Sequence, residues 1–404
     1  ADAVININPV PMSPRAKSAS TLANDKKILD TALFVAHKLG LANLRFSHVI
    51  EKTGLSSGAL YARYVDHADL TAALWDERLH APTMALLDHL SAALPVSGAV
   101  ETRNLAVRLA NLSKEEVVGL EAIMIARRLP ELDELVSRDI EAWLQTSGYA
   151  DASVEDRVRM AVSLSTTFGC MFNSQIDPNV EEWAKIFPVY SMALDARKGT
   201  PAPTPRRIKG GPVVSKTGDA LRDALIDATA AVIARSGTDG ATLSRIARRA
   251  RLTSGAVYTL YEGKDALIED ALRELLNIAA TESGQVVASG AAMGDEAGAT
   301  ATLYTLAFAP ERKPWRQFRM EVTLSARTNR ATRTILTQSY RSSVEHYQKM
   351  YEGRTDVSPD LLSIITRVGR SVPTGLSVAE LILPNLDSLD FLPFAVALSA
   401  LARP

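Results

Sequence analysis

The chain has 404 residues, too many for one hydrophobic core, because cores stop growing near ~250–300 residues and chains then divide into domains. With 47% hydrophobic residues, 23% charged residues and a formal net charge of −1, the composition is that of a globular protein without a global basic field, so any charge argument must be local. The single cysteine, Cys170, excludes an intramolecular disulfide framework and a cysteine-based zinc site.

Apolar residues recur at helical spacing almost throughout, and alternating strand patterns are scarce, which predicts an all-α protein. Residues 1–24 read as a flexible basic arm with Arg15 and Lys17, followed by Lys26 and Lys27. Asp2, Asn6, Asn8 and the prolines break any signal-peptide core, and no stretch reaches the ~18 apolar residues of a membrane span. The expectation is a cytoplasmic protein with no membrane partner.

Residues 25–79 open with a helical stripe, Ile28, Leu29, Ala32, Leu33, Ala36 and Leu39, and continue into GLSSGALYARY (Gly54 to Tyr64). Between Arg45 and His67, Arg45, Lys52 and Arg63 stand against Glu51 and Asp66, close to neutral. Residues 80–196 form a further helical domain, in which Met124, Phe168, Met171 and Phe172 are either ligand-pocket residues or plain core. Cys170, with no histidine nearby, reads as a buried small apolar residue. Residues 197–218, rich in Pro and Gly and carrying six basic residues and no acidic one, read as a basic linker.

Residues 219–277 repeat the first pattern. Leu225, Ile226, Thr229, Ala230, Ile233 and Ala234 form the matching stripe, and RLTSGAVYTLY (Arg251 to Tyr261) the matching phrase. Thr242 suits a helix N-cap before Leu243, Ile246, Ala247 and Ala250, which share one face, while Arg245, Arg248 and Arg249 collect on the other. Thr253 suits the cap of a second helix after a three- to four-residue turn, which makes a helix-turn-helix. Gly255 and Ala256 would allow that helix close to base edges, with its exposed amides favouring an anion. Tyr258 and Lys264 would reach phosphates, and Val257 and Tyr261 would pack inward. Residues 278–404 form a second helical core, in which Trp315, Arg316, Arg319, Arg327 and Arg370 point to a polar cavity able to accept an anion.

The repetition extends along the chain. Tyr258 follows Tyr61 by 197 positions (258 − 61) without a gap, and LEAIMIAR (Leu120 to Arg127) matches MEVTLSAR (Met320 to Arg327) at 200 (320 − 120). Gly169 matches Gly375 at 206 (375 − 169). Two divergent copies of one unit are expected. The six histidines show no ligand spacing, and Walker A, GxGxxG and GxSxG sequences are missing, so no metal, cofactor or enzymatic activity is expected.

The succession Gly237, Thr242, Ile246-Ala247, Leu252-Thr253-Ser254-Gly255, Tyr258, Tyr261, Lys264, Leu267 resembles the DNA-binding domain of the TetR family of transcriptional regulators. ARRLPELDELVSRDIEAW (Ala126 to Trp143) is similar to that family's helix pair around a Pro-Glu-Leu corner. The resemblance implies two tandem TetR-like units arranged as an internal pseudo-dimer, each a helix-turn-helix head followed by a helical ligand-binding and dimerisation domain; a further homodimer stays open. It implies double-stranded operator DNA and a small-molecule effector as partners, and a regulator, most simply a repressor. The implied DNA-facing residues are Arg45, Ser56, Ser57, Ala59, Tyr61, Ala62 and Arg63 in the first head. In the second they are Thr242, Arg245, Thr253, Ser254, Ala256, Tyr258, Thr259 and Lys264. Effector contacts are expected at Met124, Phe168, Met171, Phe172, Arg316 and Arg327. Subunit-type contacts are expected from Val154 to Ile176, holding Gly169, and from Leu361 to Ile382, holding Gly375. Tyr stands in both copies where the family's Tyr-x-x-Phe motif has Phe, and Arg45 and His67 replace Thr242 and Lys264 in the first head, which predicts the weaker DNA reader there. The alternative is a DNA-free helical protein that binds a ligand or partner and carries vestigial heads.

Overall fold

The computed structural model describes residues 19–196, 211–353, 355, 360 and 371–401, and these contain helices and no strand. The first half runs α1 (Ala19–Leu39), α2 (Phe46–Thr53), α3 (Ser57–Tyr61) and α4 (His67–Leu74), which continues through a π-helical turn (Trp75–Leu79) into α5 (His80–Ser91). It ends with α6 (Ala99–Ala110), α7 (Lys114–Ile125), α8 (Pro130–Thr146), α9 (Val154–Ile176) and α10 (Val180–Ala196). The second half runs α11 (Ala220–Gly240), α12 (Leu243–Ala250), α13 (Ser254–Val257), α14 (Lys264–Met293), α15 (Glu296–Ala307), α16 (Lys313–Ala326) and α17 (Arg330–Met350). A helical segment at 371–379, α18, and α19 (Leu392–Leu401) complete it.

The predicted stripes form these helices. Ile28, Leu29, Ala32, Leu33 and Ala36 of α1 and Leu225, Ile226, Thr229, Ile233 and Ala234 of α11 are buried, but Leu39, at the last turn of α1, is exposed. Ser113 and Glu116 cap α7 reciprocally, and Pro130 occupies the first turn of α8, where its missing N–H costs nothing.

Three expected boundaries shift. Residues 19–24 belong to α1 rather than to an arm, and Arg15 and Lys17 lie outside the described residues. Of the linker, 197–210 lie outside them too, while Ser215 and Thr217 are docked: both hydroxyls donate to Asp223, and the Ser215 amide to Asp227. The hydroxyl bonds, that of Thr217 first, hold the Asp223 carboxyl down at about 2. The expected division at 277/278 falls inside the uninterrupted α14.

One apolar cluster runs through both halves, joining the helices of the first half, from Ile28 of α1 to Leu194 of α10, with Tyr304, Phe308, Met320, Leu376 and Phe394. The second head forms another with Trp315, Phe318 and Leu336 of α16 and α17. Between the halves, α10 packs on α19, α7 on α16 and α9 on α17. α9 also meets α18 at close range. A Cβ on Gly169 would stand 2.7 Å from the Ser371 carbonyl oxygen, and one on Gly375 would strike the Ser165 carbonyl, so backbone meets backbone where both side chains are missing. Residues 361–370 of the expected helix lie outside the described residues. Gly375→Ala should lower stability by ~1–3 kcal/mol, and Gly375→Leu by more. Denaturant melts that leave the midpoint unchanged would show that the helices can separate at no cost.

Candidate nucleic-acid interface

Each half has a segment, called its head below after the expectation, that places a three-residue turn between two short helices. In the second, Thr242 accepts from the Arg245 amide (3.3 Å) and Thr253 from the Ala256 amide (3.3 Å), so both expected caps form. In the first, Ser56 caps α3 through the Ala59 amide (3.2 Å), whereas Arg45 at the start of α2 gives no side-chain cap. Instead its guanidinium donates to the carbonyls of Ala42 and Leu44, each at 2.8 Å. Asp66 caps α4 ahead of His67, and Gly263 precedes Lys264 at the head of α14.

The tyrosines divide as the spacing predicts. Tyr61 and Tyr258 are 62% and 60% exposed, and their hydroxyls find no partner among the described residues, while Tyr64, Val257 and Tyr261 are buried. Burial pushes the Tyr64 phenol up to about 12 and also raises that of Tyr261, which donates to Asp270 at 2.7 Å. Asp270 further accepts from Arg222 at 2.8 and 2.7 Å, which ties α11 to α14 and lowers the Asp270 carboxyl. The first head uses another pair for the same purpose, Arg63 to Asp25 at 2.5 Å.

That substitution of partners decides where free positive charge remains. Arg63 also donates to the Ala59 carbonyl, Lys52 lies over the Phe34 ring at 5.1 Å, and Lys27 donates to the Thr53 carbonyl. Arg63 is therefore a brace within the head rather than a free reader of bases. In the second head Arg245 donates to the Gly240 carbonyl, but Arg248, Arg249 and Arg251 are exposed and, like Lys264, uncommitted among the described residues. Of the expected basic face, Arg245, Arg248 and Arg249, the last two stay free, and that freedom separates them from Arg45 and Arg63.

Ser57, Ala62, Ser254 and Thr259 are exposed, and Ala59 and Ala256 half-buried; the Thr259 hydroxyl donates to the Ala256 carbonyl. The second helix of each motif is a single turn, Ser57–Tyr61 or Ser254–Val257. The expectation of anion-favouring amides at its start is therefore corrected, since one turn sums few peptide dipoles. Gly58 and Gly255 have only a neighbouring hydroxyl near an added Cβ, at 4.0 and 3.8 Å, so nothing in the chain itself requires glycine there.

The expected effector residues are engaged in the fold. Met124, Phe168, Met171 and Phe172 are buried, with the Phe168 and Phe172 rings stacked at 6.3 Å. Arg316 makes a two-pronged pair with Glu380 (2.8 and 2.7 Å) and donates to the Ala307 and Ala309 carbonyls. Arg327 pairs with Glu121 at 2.5 Å. Both arginines are thus spent on protein groups, which corrects the anion-accepting cavity expected around them; Arg370 lies outside the described residues. Met124 does border a cavity of about 230 Å³ with Ile123, Val136, Ile140 and Leu381. Cys170 is buried. Among the described residues no helix is long and apolar enough to cross a membrane, and no group of three or more His, Cys, Asp or Glu could hold a metal ion.

Residues 225–271 match the family described as bacterial regulatory proteins, tetR family, in its N-terminal domain. The match spans α11, α12, α13 and the start of α14, the second helix-turn-helix, and supports a DNA-binding head there. No curated protein matches the chain.

Within that head the turn carries Arg251 at φ 60°, where the first head has Gly54 at φ 69°. A left-handed conformation strains a side-chain-bearing residue and not glycine. Arg251→Gly should therefore raise the stability of the second head by up to ~1 kcal/mol, measured by thermal or denaturant unfolding. An unchanged or lowered midpoint would show that the Arg251 side chain supports the turn.

Proposed function

We propose that the chain is a DNA-binding transcriptional regulator of the TetR type, built of two tandem units that pair as an internal pseudo-dimer. Its heads engage duplex operator DNA in the cytoplasm, and a small molecule in the helical core modulates that binding. Regulation is most simply repression by occupancy, and no catalytic step is involved. The observation that carries this reading is the set of uncommitted cations, Arg248, Arg249, Arg251 and Lys264, beside the exposed Tyr258 in the segment similar to tetR-family heads. Cations without protein partners are available to phosphates, which fix a reader on the duplex.

The two-unit arrangement is supported by register and by packing. The helices beginning at Phe46, Ser57 and His67 have counterparts 197 residues later at Leu243, Ser254 and Lys264. The positive-φ turn residues Gly54 and Arg251 keep the same spacing, and Gly169 and Gly375 meet between the halves. Two heads about 34–36 Å apart would reach successive major grooves on one face of the duplex. The cavity beside Met124, lined by α7, α8 and Leu381 of the other half, is the effector site this reading favours, because a ligand there would touch both units.

A second reading is favoured by the internal engagement of Arg45, Arg63 and Lys52: the first head has lost DNA binding and the second carries it alone. Selecting bound duplexes from random DNA and titrating salt separates these readings. Two half-sites are expected, with affinity resting mainly on the second head. Lys264→Ala should weaken all sequences alike and reduce the log–log salt slope by about 0.9, while His67→Lys should strengthen binding. One selected half-site would favour the single-head reading, and no selected sequence would refute DNA binding.

Gly255→Val isolates DNA contact from folding. With open space around position 255 the added side chain should leave the melting temperature within a degree or two, yet it would bar the α13 turn from the groove and lower affinity by roughly tenfold or more. Full retention of affinity would place the DNA on another surface.

A further inference from the structure

The two halves exchange arginines at matched positions, and each exchange ends on the helix that frames the other half's head. Arg327, at the end of α16, crosses to Glu121 of α7 at 2.5 Å and donates to the carbonyls of Ala36 (3.1 Å) and His37 in the last turn of α1. The other Glu121 oxygen accepts from the Leu41 amide at 2.8 Å, where the chain turns from α1 towards α2. In the opposite direction, Arg127, just after α7, crosses to Glu321 of α16 at 2.5 Å and donates to the Ala234 carbonyl near the end of α11 at 2.6 Å. Arg128 also pairs with Glu321 and packs against Gly237 at the bend of α11. Glu121 and Glu321 are 4% and 2% exposed, so neither tie is loosened by bulk water.

A guanidinium suits this place because its fork can hold a carboxylate and helix-end carbonyls together, and a cation is favoured at a helix C-terminus. A cleft of about 660 Å³ lies beside both ties. It is bordered by Gly40 to Asn43 of one head, Thr238 and Asp239 of the other, and both glutamates, so the head corners face an open space rather than an apolar seam.

We propose that these crossed arginine clamps position the two heads relative to one another, and so determine the separation between half-sites that the chain accepts. The inference rests on the two-headed DNA-binding reading above. Each clamp links the buried centre of one unit to the first helix of the other unit's head, so a head can rotate only by breaking an ion pair and the helix-end bonds together. Arg127 and Arg327 are thus positioning residues, which touch no DNA.

The experiment uses the full chain and a series of duplexes carrying the two selected half-sites with their separation varied one base pair at a time, plus a duplex with one half-site. Wild type should favour one separation, losing on the order of tenfold in affinity when it changes by two base pairs. R127K and R327K keep a charge beside each glutamate but lack the fork. They should bind the single half-site as wild type does, while the preference among separations falls to about threefold or less. Should either lysine variant fold poorly, E121Q/R327Q removes one clamp without leaving a lone buried charge and is read in the same way. Folded variants that retain the wild-type preference overturn the clamp alone. Wild type that binds single half-sites but shows no preference overturns it as well, and wild type that binds no duplex overturns both this inference and the reading on which it rests.

Discussion

Two carboxylates are buried at the junction of the halves, and arginines from the opposite half reach each of them: Arg327 reaches Glu121, and Arg127 and Arg128 reach Glu321. Burial raises the Glu121 carboxyl, and the Arg327 guanidinium opposes that rise; burial lowers Arg128 to about 10 beside Glu321. A buried ion pair gains little over an apolar contact of equal volume, but one left without its partner is strongly unfavourable. The exchange therefore acts less as a source of stability than as a rule of assembly: the halves must meet in one register or strand five charges, Glu121, Glu321, Arg127, Arg128 and Arg327. The glycine contact between α9 and α18 complements it, because two backbones that touch at Gly169 and Gly375 tolerate little sliding.

The fold was legible where the signal is local. Helical periodicity marks α1 and α11, hydroxyls at 242 and 253 mark caps, and the burial of Val257 and Tyr261 against the exposure of Tyr258 follows from helical phase alone. Gly169 and Gly375 could be matched because a missing side chain at equivalent helix positions is a statement about distance. The ends of segments were less legible. Nothing in the composition of 211–218 says that its last hydroxyls dock on Asp223, and no glycine or proline signals that α14 runs from head to core without interruption.

Charge was the least legible, since periodicity states which face an arginine occupies and not what it meets. Arg327 resembled a ligand contact, whereas it meets Glu121 from the other half, 206 positions away in the chain (327 − 121). A signal existed all the same: in the matched segments LEAIMIAR and MEVTLSAR a glutamate precedes an arginine by six residues, among mostly small and apolar residues. A repeated pair of opposite charges in a buried stripe must be satisfied, and within one helix those two positions lie too far apart in angle to satisfy each other directly. A partner in the other copy is the remaining solution.

The same limited supply of cations explains how the helix-turn-helix segments of the two halves differ. In the first, Arg63 braces α1 through Asp25, Arg45 holds the preceding carbonyls, and Gly54 takes the left-handed turn without strain. In the second, the brace is Arg222 with Asp270, remote from the turn, so Arg248, Arg249 and Arg251 stay free, and Arg251 occupies the left-handed position that glycine fills in the other copy. One head puts its charge into its own rigidity and an unstrained turn. The other accepts strain to hold a guanidinium at the surface, where it is free to meet an anionic partner.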